Sequence, residues 1–170
     1  MVLNIHPIFV HFPIALLTIY SLLEFVWSRK LKQSDSFFLI KASFLILGVL
    51  GAFTALQTGE IAEEGMTDSA TRHLISVHST WAAGATWIFG ILALAYIILA
   101  YARFADKIPQ IAGLSLLVRT AKILVETPLI YLLAILGLIA ITVTGALGGA
   151  IVYGSDIDPI VSYVYKILIG

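Results

Sequence analysis

The chain has 170 residues, of which 60% are hydrophobic and 12% charged, and its mean hydropathy is +1.02. This composition is too apolar for a soluble globular domain and indicates a membrane protein. Basic and acidic residues balance, so nothing indicates nucleic-acid binding. The sequence contains no cysteine, which excludes disulfides, thiolate-bound iron-sulfur or zinc sites and covalently attached haem.

Four apolar stretches reach the roughly 20 residues that a helix needs to cross a bilayer. They are residues 8–27, 37–56, 79–101 and 129–152. We expect residues 1–170 to form one integral membrane domain of the all-α class, a four-helix bundle of transmembrane helices running up-down-up-down. Two shorter segments, 111–125 and 159–168, are expected to lie on the membrane surface, the first because it is amphipathic and the second because it is too short to span.

The distribution of charge predicts the orientation of the chain in the membrane. Most lysines and arginines flank the connections that follow the first and third spans, whereas the other connection and the C-terminal segment are acidic. By the positive-inside rule, the basic connections are cytoplasmic and both termini are extracytoplasmic. Glu24 lies near the cytoplasmic boundary, where we expect it to reach Arg29 or Lys30 or to extend to water.

All four histidines occur in two copies of one phrase. His6 to His11 and His73 to His78 both read H-x-I-x-V-H, and each copy opens a span. The helix that returns after each copy reaches a Thr-Gly pair, Thr58-Gly59 and Thr144-Gly145. The pattern predicts a duplicated helical hairpin whose copies are related by a pseudo-two-fold axis along the membrane normal. Equivalent histidines of the first and third helices would then face each other at the extracytoplasmic end.

Helical geometry divides these histidines into two pairs. Five residues turn a helix by about 140° beyond one full turn, so the two histidines of one phrase cannot both point to the axis. His6 precedes Pro7 and is expected at the mouth of the first helix. We therefore predict that His11 and His78 form an inner pair on the axis. His6 and His73 form an outer pair, which lies about 7.5 Å from the inner pair along the helix axis. This outer pair would support the inner site or form a second site.

Two imidazoles that face each other inside a membrane bundle are typical ligands of six-coordinate haem iron. His11 and His78 are therefore the candidate axial ligands of a b-type haem, in an electron-transfer protein or subunit rather than a stand-alone enzyme. Arg72 is the candidate contact for a haem propionate. Glycines near the site would leave room for the macrocycle, although close helix packing explains them equally well. These glycines are Gly59, Gly145, Gly148 and Gly149.

Two other interpretations of the histidines stay open. Imidazole and carboxylate groups bind zinc or copper, although helical sites for these metals use i, i+3 or i, i+4 spacing rather than the i, i+5 spacing seen here. Such a site would use His6, His73, Glu60, Glu63 and Glu64. In the second interpretation the histidines are only solvated, and the chain is a cofactor-free accessory subunit of a larger membrane complex.

Two stretches of the chain resemble a known family. Residues 6–16 read HPIFVHFPIAL and residues 148–153 read GGAIVY. They are similar to the HPxxVHFPIAL opening and GGxxVY close of the bacterial membrane-protein family called domain of unknown function 2231. The resemblance spans nearly the whole chain and implies a small four-helix protein of the bacterial inner membrane, with a histidine, best matched by His78, opening the third span. It implies no established activity.

Similar proteins occur beside or fused to cytochrome c-like domains, and this association mildly favours a redox role. The partners expected on that analogy are the lipid bilayer, a c-type cytochrome or other redox subunit, and quinol. The chain is expected to work within a complex or a homo-oligomer.

Overall fold

The computed structural model describes residues 5–63, 69–104 and 114–170. Within these ranges the chain forms helices and connections without strands, which confirms the all-α prediction. The helices are α1 (His6–Glu24), α2 (Arg29–Lys32), α3 (Asp35–Glu63), α4 (Ser69–Phe104), α5 (Leu114–Glu126), α6 (Leu129–Tyr153) and α7 (Pro159–Leu168).

Four of these helices, α1, α3, α4 and α6, are long and apolar enough to cross a membrane, as predicted. Several bounds differ from those expected, and α3 continues to Glu63 rather than ending at residue 56. The first helix ends at Glu24 rather than residue 27, because the N–H groups of Phe25 and Val26 donate to the carbonyls of Leu22 and Leu23 in tighter turns than those of an α-helix. The helix of the third span begins at Ser69, well before residue 79, because helical structure continues through the polar residues that precede the apolar stretch.

The long helices pack in a ring. α1 and α4 both contact α3 and α6, so α1 and α4 lie on one diagonal of a four-helix bundle. α3 runs antiparallel to both α1 and α4. His6, the first residue of α1, contacts Thr58 near the end of α3. Asp35, the first residue of α3, forms an ion pair with Arg103 near the end of α4.

Buried aromatic side chains pack together between the two ends of the bundle. Tyr20 packs edge-on against Phe89 and Tyr96, with ring centroids 6.0 and 5.9 Å apart, and all three residues are fully buried. A Cβ on Gly137 would overlap the ring of Phe89, so only glycine lets α6 pack this closely against α4. Neither of the two cavities described below is lined by Tyr20 or Phe89. This layer therefore separates the two ends of the molecule.

The two short amphipathic helices cover opposite ends of the bundle. α7 spans the predicted segment 159–168 and packs against α6, with the Asp158 carboxylate accepting hydrogen bonds from the first backbone N–H groups of the helix. α5 packs against α4 and α6 through buried Ala121. The first part of the predicted surface segment, residues 111–113, lies outside the described residues.

Candidate histidine site

A cavity of about 680 Å³ opens at one end of the bundle, between α1, α3, α4 and α6. Its volume lies in the range of small-molecule and cofactor sites. Three of the four histidines line it, namely His6, His11 and His78. All four glycines that were predicted to leave room for a macrocycle also line it: Gly59, Gly145, Gly148 and Gly149.

His6 is held by the returning helix α3. Its Nδ1 lies 3.1 Å from Oγ1 of Thr58, and its ring also interacts with the carbonyl of Ala55. The Thr58 hydroxyl donates to the carbonyls of Thr54 and Ala55, at 3.1 and 3.0 Å. When the proton of the neutral His6 ring is on Nδ1, the Thr58 oxygen accepts a hydrogen bond from that Nδ1–H. The ring lies against Gly59, where a Cβ would stand 3.2 Å from Cε1.

His78 is held by the returning helix α6 in a similar way. Its Nδ1 lies 3.0 Å from the carbonyl oxygen of Thr144, which can only accept, so Nδ1 carries the proton. The ring lies against Gly148, where a Cβ would stand 3.3 Å from Cε1. The two hairpins share one spacing. His6 contacts the carbonyl of Ala55 and faces Gly59, four residues later, and His78 contacts the carbonyl of Thr144 and faces Gly148, also four residues later.

These contacts make His6, rather than His11, the structural counterpart of His78. The rings of His6 and His78 lie on diagonal helices and line the same cavity. His11 lines the same cavity but is exposed, and its Nδ1 donates to the Pro7 carbonyl of its own helix at 2.7 Å. His73 is exposed and does not line the cavity. In the sequence repeat, His6 corresponds to His73. In the structure, His6 corresponds to His78, because the rings of these two residues contact the returning helices.

The glycines of the cavity have three different environments. Gly59 and Gly148 lie against imidazole rings. A Cβ on Gly145 would meet no atom within 4 Å, so this residue borders open space. A Cβ on Gly149 would lie 3.4 Å from Val161, so this residue packs against α7. The two Thr-Gly pairs are therefore not equivalent, because Gly148 and not Gly145 faces the second ring.

The structure also places the other residues suggested by the sequence. Arg72 is exposed on α4 and lies outside the cavity wall. Glu60 and Glu63 line the cavity, and Glu64 lies outside the described residues. Over residues 5–63, 69–104 and 114–170, no three histidine or carboxylate side chains are grouped to hold a metal ion.

Two hydrogen-bond partners in the site were not predicted as site residues. They are the hydroxyl of Thr58 and the backbone carbonyl of Thr144, each on the helix that returns from a histidine-bearing helix. The sequence signal for them is weak, since it consists only of a small residue placed shortly before a glycine. Such pairs are common in packed membrane helices.

The comparisons with known proteins address the family of the chain and not its activity. Neither the curated proteins nor the solved structures give a significant match. A family model described as "Predicted membrane protein (DUF2231)" matches residues 2–158. This match covers most of the chain and confirms the family resemblance of the opening and closing motifs. The chain therefore belongs to the DUF2231 family of predicted membrane proteins.

Proposed function

We propose that the chain is a b-type cytochrome-like electron-transfer protein or subunit, with His6 and His78 as the axial ligands of a haem in the histidine cavity. The supporting observation is that both rings bond the neighbouring helix through Nδ1. A neutral imidazole with its proton on Nδ1 presents Nε2 as the nitrogen that can bind iron. A hydrogen bond of this kind also fixes the orientation of metal-binding histidines in known sites.

The residues around the two rings suit a flat macrocycle. Gly59 and Gly148 let each ring lie directly on the returning helix, and Gly145 leaves open space beside them. Small and apolar side chains, such as Ala52 and Ala82, make up much of the remaining wall. When bound, haem supplies one-electron redox chemistry at an iron whose potential depends on its ligands and on the burial of the site.

The ligand count favours haem over a bare metal ion. A porphyrin provides four ligands itself, so a six-coordinate haem needs only two from the protein. Zinc and copper sites need three or four protein ligands, and the described part of the chain has no such group. Glu60 and Glu63 line the cavity, but they give no three-ligand cluster with the histidines.

The proposed setting is the bacterial inner membrane, with the histidine cavity at its extracytoplasmic face. The basic residues concentrate at the other end of the bundle, which the positive-inside rule assigns to the cytoplasm. In this orientation the site is accessible to an extracytoplasmic c-type cytochrome or to a neighbouring redox subunit. Glu60 and Glu63 give the cavity mouth negative charge, which favours the approach of a basic partner. Quinol in the bilayer is the proposed electron donor.

Absorption spectroscopy of the purified chain, expressed with an adequate supply of haem, tests this function. We expect a Soret band, split visible bands on reduction and one haem per chain. His6→Leu and His78→Leu should abolish the low-spin spectrum. His73→Leu is the matched control, since it removes an exposed histidine outside the cavity, and should leave the spectrum unchanged.

Three results would count against the proposal in different ways. Wild-type protein that shows no Soret band even after reconstitution with haem would refute the function. Loss of the spectrum in His11→Leu but not in His6→Leu would restore the pair predicted from the sequence. A stoichiometric metal in haem-free protein would favour the zinc or copper interpretation.

A further inference from the structure

We infer that the end of the bundle opposite the histidines binds the phosphate headgroup of an anionic phospholipid. A second cavity, of about 730 Å³, lies there among the last turns of α1 and α4, the first turns of α3 and α6, and the short helices α2 and α5. Its basic residues come from four helices, and two carboxylates also line it. The charged residues of the wall are Lys32, Lys41, Arg103, Lys122, Glu24 and Glu126.

Two of the four basic residues in this cavity are already paired. Lys41 forms an ion pair with buried Glu24 at 2.8 Å, and Arg103 pairs with the carboxylate at the start of α3. Lys32 and Lys122 form no ion pair with any carboxylate in the three described ranges of the chain. Among the described residues, these two lysines, carried by α2 and α5, are the cations of the cavity that are available to an anion.

Lys32 is held at the depth expected for lipid headgroups. Its Nζ donates a 2.7 Å hydrogen bond to the hydroxyl of Tyr131 and lies 5.1 Å from the centroid of that ring. It also lies 5.9 Å from the ring of Trp27, which is 91% exposed. Exposed tryptophan and tyrosine at the end of a spanning helix are typical of the membrane interface. The ammonium group is therefore placed where a lipid phosphate lies.

The remaining wall of the cavity suits a lipid better than a soluble phosphate. Val118 and Val125 of α5, Leu99 of α4 and Ile130 of α6 form its apolar surface. A headgroup phosphate between the two lysines would continue into acyl chains along this surface. A free phosphate would leave it exposed. Basic pockets between membrane helices are known to recognise acidic lipid headgroups in this manner.

A pair of double variants tests the inference in the full chain. Lys32→Gln/Lys122→Gln removes the two cavity lysines. Lys30→Gln/Arg119→Gln removes two positive charges from the same helices at exposed positions that do not line the cavity. The probe is dioleoylphosphatidylglycerol, compared with dioleoylphosphatidylcholine, and lipid retention is measured by native mass spectrometry.

Wild type and the control variant should retain phosphatidylglycerol in preference to phosphatidylcholine. In the cavity variant the apparent affinity for phosphatidylglycerol should fall about 25-fold, or about fivefold per lysine. The charge-retaining variant Lys32→Arg/Lys122→Arg should keep the preference. Equal losses in the two glutamine variants would overturn the inference, because the attraction would then be a general property of the basic surface.

Inorganic phosphate serves as the second probe and distinguishes the source of the anion. If the cavity takes a lipid, phosphate at the same concentration should not displace phosphatidylglycerol from the wild type. If inorganic phosphate displaced phosphatidylglycerol from the wild type, the cavity would be a site for a soluble anion, and the inference of a lipid site would be wrong. Both measurements are independent of haem, so they test this end of the molecule whatever the spectrum of the histidine end.

Discussion

The two ends of the bundle place polar side chains among apolar helices in different ways. At the end opposite the histidines, Glu24 is only 3% exposed and both of its carboxylate oxygens are used within the protein. Oε2 accepts from Lys41 at 2.8 Å and Oε1 accepts from the Tyr96 hydroxyl at 2.5 Å. At the histidine end, the rings of His6 and His78 each bond the neighbouring helix through Nδ1 and lie in the wall of a cavity.

This difference separates a structural role from a binding role. A charge inside the hydrocarbon region is tolerated when it is paired, and the Glu24 cluster ties α1 to α3 and α4 through a pair and a hydrogen bond. An imidazole in the wall of a cavity is instead suited to a ligand, because its neutral form can bind a metal ion through a ring nitrogen. Matched substitutions at each end separate the two roles.

The largest effect is expected from Lys41→Met. This substitution leaves the Glu24 carboxylate buried without its cationic partner, which should lower the free energy of unfolding by about 3–5 kcal/mol. The double variant Glu24→Gln/Lys41→Met should recover much of that loss, because no uncompensated charge remains. Unfolding in detergent measures both values, and exposed Lys30→Met is the control. If Lys41→Met lowers the free energy of unfolding no more than Lys30→Met does, the cluster has no structural role.

A smaller loss of stability is expected from Gly137→Ala in the layer between the ends. The added Cβ would overlap the Phe89 ring, which is fully buried and cannot move away without repacking α4 against α6. Overpacking of this kind costs about 1–3 kcal/mol. Gly90→Ala is the matched control, since a Cβ there meets no atom within 4 Å. Equal unfolding midpoints for the two variants would show that the layer is loosely packed.

The histidine end is tested by Gly148→Ala against Gly145→Ala, two neighbouring positions of α6 in the same cavity wall. Only the first Cβ would press on the His78 ring, so only Gly148→Ala should shift the imidazole from its Thr144 partner. We expect about tenfold weaker haem binding in that variant, as for disturbed outer-shell contacts of other metal ligands. Titration with haem, followed by absorbance, measures the affinity. Similar affinities for both variants would mean that the glycine contact does not position the ring.

Local features of the structure were predictable from the sequence. Hydropathy indicated the number of membrane helices, and Pro7 marked the start of α1, whose first residue is His6. Asp158 followed by Pro159 marked the start of α7. These signals depend on residues within one turn of each other, so the sequence alone determines them.

Contacts between distant parts of the chain were not predictable in this way. Glu24 was expected to reach Arg29 or Lys30, its neighbours along the chain, but its partner is Lys41 on the next helix. The sequence favours His11 as the partner of His78, because His11 lies deeper in its helix than His6. It does not indicate the contact of His6 with Thr58, 52 residues away, since that contact depends on the rotation of one helix against another.

The smallest expected effect distinguishes the two hairpins from each other. Thr58→Val removes the oxygen that accepts from His6, although the ring keeps its interaction with the Ala55 carbonyl. Thr144→Val leaves the His78 bond in place, because that bond uses the backbone carbonyl while the hydroxyl donates to Ala140. Losing one such bond costs about 1 kcal/mol, so Thr58→Val should weaken haem binding about fivefold.

Redox potentiometry and haem titration of these two threonine variants complete the test. Thr58→Val should shift the midpoint potential as well as the affinity. The hydrogen bond to the ring nitrogen that does not bind iron affects the basicity of the imidazole, and therefore how strongly it donates to iron. Thr144→Val should match the wild type in both measurements. If Thr144→Val had the larger effect, the side chain and not the carbonyl would orient His78, and the correspondence between the two histidine environments would fail at that position.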